Sequence, residues 1–175
     1  MRKIDKETTL RELAIIVCTC LKENSIDSVL TGGAVVSIYS ENRYQSDDLD
    51  FISVSSKKEI AKALAGVGFK ETKGRYFVHD LTSFIVEFPS GPVSVGNKPV
   101  NDFNEIIVKD GYLKLLTPTH CVMDRLAAYY YWDDQQSLDQ AVLVAENHQI
   151  KLKEIEAWSK EESMEAKYQD FLSRL

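Results

Sequence analysis

The sequence predicts an α+β protein: a mixed sheet flanked by helices over residues 1–116, then a helical C-terminal subdomain over residues 117–175. Three observations predict it. Helix-like and strand-like stretches alternate as far as Gly66, a period of two runs from Phe69 to Leu116, and beyond Thr117-Pro118-Thr119 the pattern is helical. A chain of 175 residues suits one compact domain with a small appendage. With 44% hydrophobic and 27% charged residues and only 8 Gly and 4 Pro, collagen-like, low-complexity and wholly disordered classes are excluded.

Taken in order, Thr8 or Thr9 caps a helix from about Leu10 to Asn24, in which Leu10, Leu13, Ala14, Val17 and Leu21 follow helical spacing. Ser28 to Thr31 is a short apolar strand that ends in Gly32-Gly33, and a helix from Ala34 to Glu41 opens from the glycines. Asp47 to Val54 is the second strand, and Lys57 to Gly66 an amphipathic helix with Ile60, Ala61 and Leu64 inward. Period-two strands are expected at 69–72, 75–79, 83–88, 106–108 and 112–116, with Lys73-Gly74 a hairpin turn and 89–96 a loop or short edge strand. Helices follow near 118–132, with Thr117 as cap and Pro118 in the first turn, and near 135–147 and 151–173, the last broken around Ser159.

The longest apolar run, Leu13 to Leu21, falls well short of the ~20 residues that a bilayer helix needs. No membrane contact is expected. Acidic residues interrupt the start and no small-residue cleavage site follows the apolar run, so a cytoplasmic protein is expected. Cys18, Cys20 and Cys121 form neither an even disulfide set nor a zinc spacing, which leaves buried, inert thiols. The 21 basic and 27 acidic residues give −6, with −2 over residues 1–110 and −4 over 111–175. Extended wrapping by nucleic acid is disfavoured; a single RNA end remains compatible.

Three features stand at strand ends. At Leu30-Thr31-Gly32-Gly33-Ala34 a strand runs through two glycines into a helix, so that free N–H groups face one point. That is either a phosphate seat or an ordinary turn. In Asp47-Asp48-Leu49-Asp50-Phe51-Ile52, alternation puts Asp48 and Asp50 on one face, about 7 Å apart along the chain. Two such carboxylates either hold a hard cation such as magnesium or belong to a solvated strand end. In Phe84-Ile85-Val86-Glu87-Phe88 one acid interrupts an apolar strand, so Glu87 either has a partner or faces water from an edge.

Together, the glycine seat, the Asp-x-Asp strand and the later acid resemble the nucleotidyltransferase superfamily typified by DNA polymerase beta. The likeness covers Leu30 to Ile52, with Glu87 in the place of the third acid. It departs in Ala34, where a serine would help hold phosphate, and in the 14 residues between Gly33 and Asp48. It implies a nucleotidyltransferase-type fold, an NTP held by Gly32, Gly33 and Ala34, and Mg2+ (or Mn2+) ligated by Asp48, Asp50 and Glu87. The implied catalysis has Glu87 aligning or deprotonating an acceptor hydroxyl. A second likeness lies in 117–128 and 132–139, which resemble AbiEii-type nucleotidyltransferases of bacterial toxin–antitoxin systems. There Arg125 stands for a lysine and Asp134 for an acid, while Ser137 falls where a second acid is expected. It implies a cognate partner protein.

Asp124 and Arg125 are adjacent on a helix and are expected to point apart, with Arg125 either toward the triphosphate or in an interhelical salt bridge. Asp134 either supports the site or caps the next helix. His79, His120 and His148 stand apart from acids at useful spacing and are expected to be structural. Tyr129 to Trp132 either stack a base or pack on the sheet. Lys73, Arg75 and Lys114 either form an acceptor patch or a solvated hairpin, and the charged tail is expected to dock on its own domain. The expected function is transfer of a nucleoside monophosphate from an NTP to an RNA end, a protein or a small molecule. The alternative is a non-catalytic nucleotide-binding or antitoxin-like interaction protein that keeps the fold.

Overall fold

The computed structural model describes residues 3–73 and 76–175. The chain opens with helix α1, Leu10–Glu23, held by a capping box between Thr9 and Glu12, and its Leu10, Leu13, Ala14, Val17 and Leu21 are buried. Strand β1, Val29–Thr31, leads into helix α2, Gly32–Tyr39. The glycines are thus the first turn of α2 rather than a loop before it. Strand β2, Asp48–Ile52, alternates half-buried and buried residues, and helix α3, Lys57–Ala65, carries a second capping box at Ser56 and Glu59.

Short strands follow: β3, Lys70–Glu71, β4, Tyr76–Val78, and β5, Ile85–Glu87. The expected turn at Lys73-Gly74 and the start of the strand at Arg75 fall partly on residues 74 and 75, outside the described residues. The stretch expected to be loop or edge strand forms a separate two-stranded ribbon of β6, Ser94–Val95, and β7, Lys98–Pro99. Strand β8, Phe103–Val108, begins three residues earlier than expected and pairs along its length with β9, Gly111–Leu116.

The main sheet has seven strands in the order β3-β4-β5-β2-β1-β9-β8. It is mixed: β1 runs antiparallel to β2 and parallel to β9, and β2 runs parallel to β5. Leu30, Leu49, Phe51, Val86, Leu113 and Leu115 are fully buried at its centre.

Helices α4, Pro118–Trp132, α5, Gln135–Asn147, α6, Leu152–Glu161, and α7, Glu165–Leu172, complete the chain. Helix α4 starts on the Thr117 cap with Pro118 in its first turn, and it ends where Asp133 turns left-handed. The final break comes at Ser163 (φ +59) rather than near Ser159. Ser159 stays inside α6, its hydroxyl on the Ile155 carbonyl and against the Tyr130 hydroxyl, so nothing interrupts the helix there. Trp158, Tyr168 and Phe171 are buried, and the tail docks on the chain through α4 and α5. Among the described residues no helix is long and apolar enough to cross a membrane.

Candidate active site

The strand registers bring the singled-out acids to one sheet face. Asp50 lies opposite Glu87 across the parallel β2–β5 ladder and opposite Thr31 across β1–β2. Paired residues share a face and alternate residues return to it, so Asp48, Asp50 and Glu87 project to the same side. Leu49, Phe51 and Val86 fill the core on the other. Asp50 is pushed up to about 6, first by burial, then by the neighbouring charges of Asp48 and Glu87, with Arg125 pulling it down and Asp124 opposing. Four charged groups therefore bear on Asp50. Among the described residues, no three His, Cys, Asp or Glu side chains are gathered closely enough to hold a metal.

The glycine turn abuts these acids. Gly32 has φ +70, a left-handed value that disfavours side chains, and a Cβ on it would stand 2.7 Å from Oδ2 of Asp50. A Cβ on Gly33 would stand 2.9 Å from the Ser46 hydroxyl and 3.3 Å from the Tyr44 hydroxyl. Thr31, the cap residue of α2, makes no side-chain capping bond. The first-turn N–H groups of Gly32, Gly33 and Ala34 thus lack an intrahelical acceptor. Ala34 has its side chain in the core at 1% exposure, so it can offer a ligand only its main chain.

Two buried serines, which the sequence reading passed over, fasten the turn to Asp48. The Ser37 hydroxyl donates to the Gly33 carbonyl at 3.2 Å, the Ser46 N–H donates to the Ser37 hydroxyl at 2.9 Å, and the Ser46 hydroxyl donates to Oδ1 of Asp48 at 2.8 Å. The signal was present in the sequence: Ser46 stands two residues before Asp48, and alternation places both on one face.

Asp124 and Arg125 do not point apart. Nη2 and Nε of Arg125 donate to Oδ2 of Asp124 at 2.6 and 3.0 Å, and Nη1 reaches Gln140 of α5 at 3.4 Å. Long guanidinium reach overcomes the angular offset of adjacent helical positions. Burial works against the charge of Arg125, and the Asp124 carboxylate more than restores it. Arg125 lies within electrostatic reach of Asp50 but already carries an anion.

Asp134 caps α5: Oδ1 accepts from the Gln136 N–H and Oδ2 from the Ser137 hydroxyl, a bond that holds its carboxyl below the usual range. The histidines serve the fold. His79 packs on Phe69, His120 contacts Thr117 and the Asp102 carbonyl, and His148 lies on the Tyr39 ring and carbonyl. Tyr130 stacks on Trp158 at 5.3 Å, while Tyr131 and Trp132 are exposed. Lys114 pairs with Asp27 at 2.9 Å and lies over Phe103, away from Lys73 in the β3–β4 connection. The cysteines are free and buried, and burial pushes their thiols up.

A solved antigenic nucleotidyltransferase-like protein from Paracoccidioides brasiliensis is similar with a TM-score of 0.58 at 14% identity, over 79% of this chain and 76% of that one. ANT(2″)-Ia in complex with adenylyl-2″-tobramycin aligns at 0.46 and 12% identity, over 90% and 94% of the two chains. The antibiotic-resistance factor ANT(2″)-Ia in solution aligns at 0.47 and 11%, over 90% and 88%. No family model and no curated protein matches the sequence. The first likeness establishes the fold as nucleotidyltransferase-like: a mixed sheet flanked by helices.

Proposed function

We propose that the chain is a metal-dependent nucleotidyltransferase that moves a nucleoside monophosphate from an NTP to an acceptor hydroxyl. The observation that carries this reading is the Asp50–Glu87 register, with Asp48 two residues away on the same face and the α2 start beside it. A fold that holds like charges together at a cost in stability has a use for them, and a cation is the simplest one.

The chemistry of the donors suits Mg2+ or Mn2+, whose preferred ligands are carboxylate oxygens, although the three side chains would have to draw together around the ion. Asp48, Asp50 and Glu87 would hold the ion, which when bound would neutralise charge developing on the phosphates. Free N–H groups at the α2 start receive phosphate oxygens. As the acceptor oxygen bonds to the α-phosphorus and the bond to the β-phosphate oxygen breaks, Glu87 takes the hydroxyl proton and pyrophosphate departs. Ser46 keeps one oxygen of Asp48 occupied and so fixes which of its lone pairs remain for the ion.

Incubation with each NTP labelled at the α-phosphate, plus Mg2+ or Mn2+ and in turn RNA, protein and small polyhydroxylated acceptors, tests the proposal. Wild type transfers label and Asp48→Ala does not. Transfer that persists in Asp48→Ala overturns it.

The ungathered acids and the Asp124 carboxylate on Arg125 favour a second reading, a nucleotide-binding protein without catalysis. Its signature is NTP binding with no transfer to any acceptor. A toxin–antitoxin role with a cognate partner protein rests on the resemblance of residues 117–139 alone.

A further inference from the structure

Several hydroxyls stand around the glycine turn, and most are committed within the protein. Thr31 donates to the Asp50 carbonyl at 3.3 Å, Ser37 to the Gly33 carbonyl at 3.2 Å and Ser46 to Oδ1 of Asp48 at 2.8 Å. Tyr44 differs. Its hydroxyl lies where a Cβ on Gly33 would stand 3.3 Å away, close to the first turn of α2. Its main-chain N–H is held by the Ser40 hydroxyl at 3.2 Å and its ring packs partly buried on the core, so the position of the oxygen is set by the fold.

Of the eight tyrosines, six have the hydroxyl bonded to a carbonyl, a carboxylate or another hydroxyl of the chain. Among the described residues the two without such a bond are Tyr76, which stands exposed on β4, and Tyr44. A phenol whose ring packs into a core ordinarily finds a partner for its oxygen. Beside Tyr44 lie the first-turn N–H groups of α2, donors that lack an intrahelical acceptor. Donors gathered at one point suit an anion with several oxygens.

We infer that the Tyr44 hydroxyl is a phosphate ligand, donating to a non-bridging oxygen of the β- or γ-phosphate of the bound NTP, the part that departs as pyrophosphate. This rests on the reading of the site as an NTP seat. The order of the groups assigns the phosphate. Gly32 abuts Asp50, which pairs with Glu87, so the α-phosphorus lies on that side, and Gly33 with Tyr44 is one residue farther along the helix start. Ala34 brings no hydroxyl here, because its side chain is in the core. Arg125, within electrostatic reach of Asp50, already carries Asp124. The grip of this chain on the terminal phosphates therefore comes from neutral donors, of which the phenol is the one that a single substitution removes.

Calorimetric titration of the full chain with each NTP and with inorganic tripolyphosphate, in the presence of Mg2+, tests the inference alongside thermal denaturation. Tyr44→Phe deletes one oxygen and keeps the ring. It weakens NTP and tripolyphosphate alike by about tenfold, the loss of one hydrogen bond to a charged group. Its melting temperature without ligand equals that of wild type, since the hydroxyl serves no protein partner. Equal affinity of wild type and Tyr44→Phe overturns the inference and leaves the transferase reading standing. A loss confined to NTP, with tripolyphosphate unaltered, also overturns it, because the hydroxyl then meets the sugar or the base. A lower melting temperature overturns it too, because the hydroxyl then serves the fold. A wild type that binds no NTP overturns the nucleotide reading and this inference together.

Discussion

Gly32 and Asp50 meet across the end of the β1–β2 ladder, where a Cβ on the glycine would stand 2.7 Å from a carboxylate oxygen and the backbone has φ +70. Two independent demands therefore fall on one residue. Gly32→Ala has to absorb the left-handed strain and displace Asp50, a cost of about 2 kcal/mol. The expected outcome is a lower melting temperature together with loss of NTP binding, read by thermal denaturation and calorimetric titration. A fully stable variant that binds NTP as wild type does would show that the close approach is incidental.

Asp50 is expected to make stability fall as pH rises. Its carboxyl sits at about 6, above an ordinary value near 3.8. Between these values the native chain holds a proton that the unfolded chain has released. The contribution is fully present below about pH 4 and is lost as pH passes through about 6, at most about 3 kcal/mol in all. Asp50→Asn removes this slope and melts above wild type at pH 7.5 in a chelator, while losing transfer. Denaturant midpoints at pH 4.5, 6 and 7.5 check the sign.

Arg125 and Asp124 share a partly buried ion pair, with side-chain exposures of 18% and 21%. Arg125→Met leaves Asp124 without its partner and removes the cation that draws Asp50 down, costing about 2 kcal/mol. Asp124→Asn combined with Arg125→Met recovers most of it. A double-mutant cycle in urea gives the coupling, and additive losses would mean that the pair is inert.

Glu162 latches the β6–β7 ribbon. Its carboxylate accepts from the Asn97 N–H and side-chain amide, from the Trp158 indole at 3.2 Å and from the Tyr131 hydroxyl. Glu162→Ala strands those donors, lowers stability by about 1 to 2 kcal/mol and exposes residues 93–100 to protease. Limited proteolysis with mass mapping reads the effect directly.

Much of this architecture was legible in the chain because short-range rules govern it. Thr9 with Glu12 and Thr117 with Pro118 mark helix starts by local hydrogen bonding, and Asp48-Leu49-Asp50 announces its two faces by alternation alone. Boundaries depended on tertiary contacts: β8 reaches back to Phe103 because β9 pairs with it there, and α6 passes through Ser159 because Tyr130 and Ile155 occupy its hydroxyl. The Asp124–Arg125 pair was hidden for another reason. Helical geometry forbids adjacent Cβ vectors from converging but does not limit a guanidinium on a three-carbon stem. The Asp50–Glu87 register, which aligns the acids, depends on parallel pairing between residues 37 positions apart and leaves no local trace.

The most direct measurement is a crystal structure of the full chain grown with Mn2+ and a non-hydrolysable NTP, with the metal located by its anomalous scattering. The account predicts a peak bounded by Asp48, Asp50 and Glu87, with the triphosphate against the N–H groups of the α2 start. A nucleotide bound elsewhere, or a peak that none of these three carboxylates touches, would contradict it.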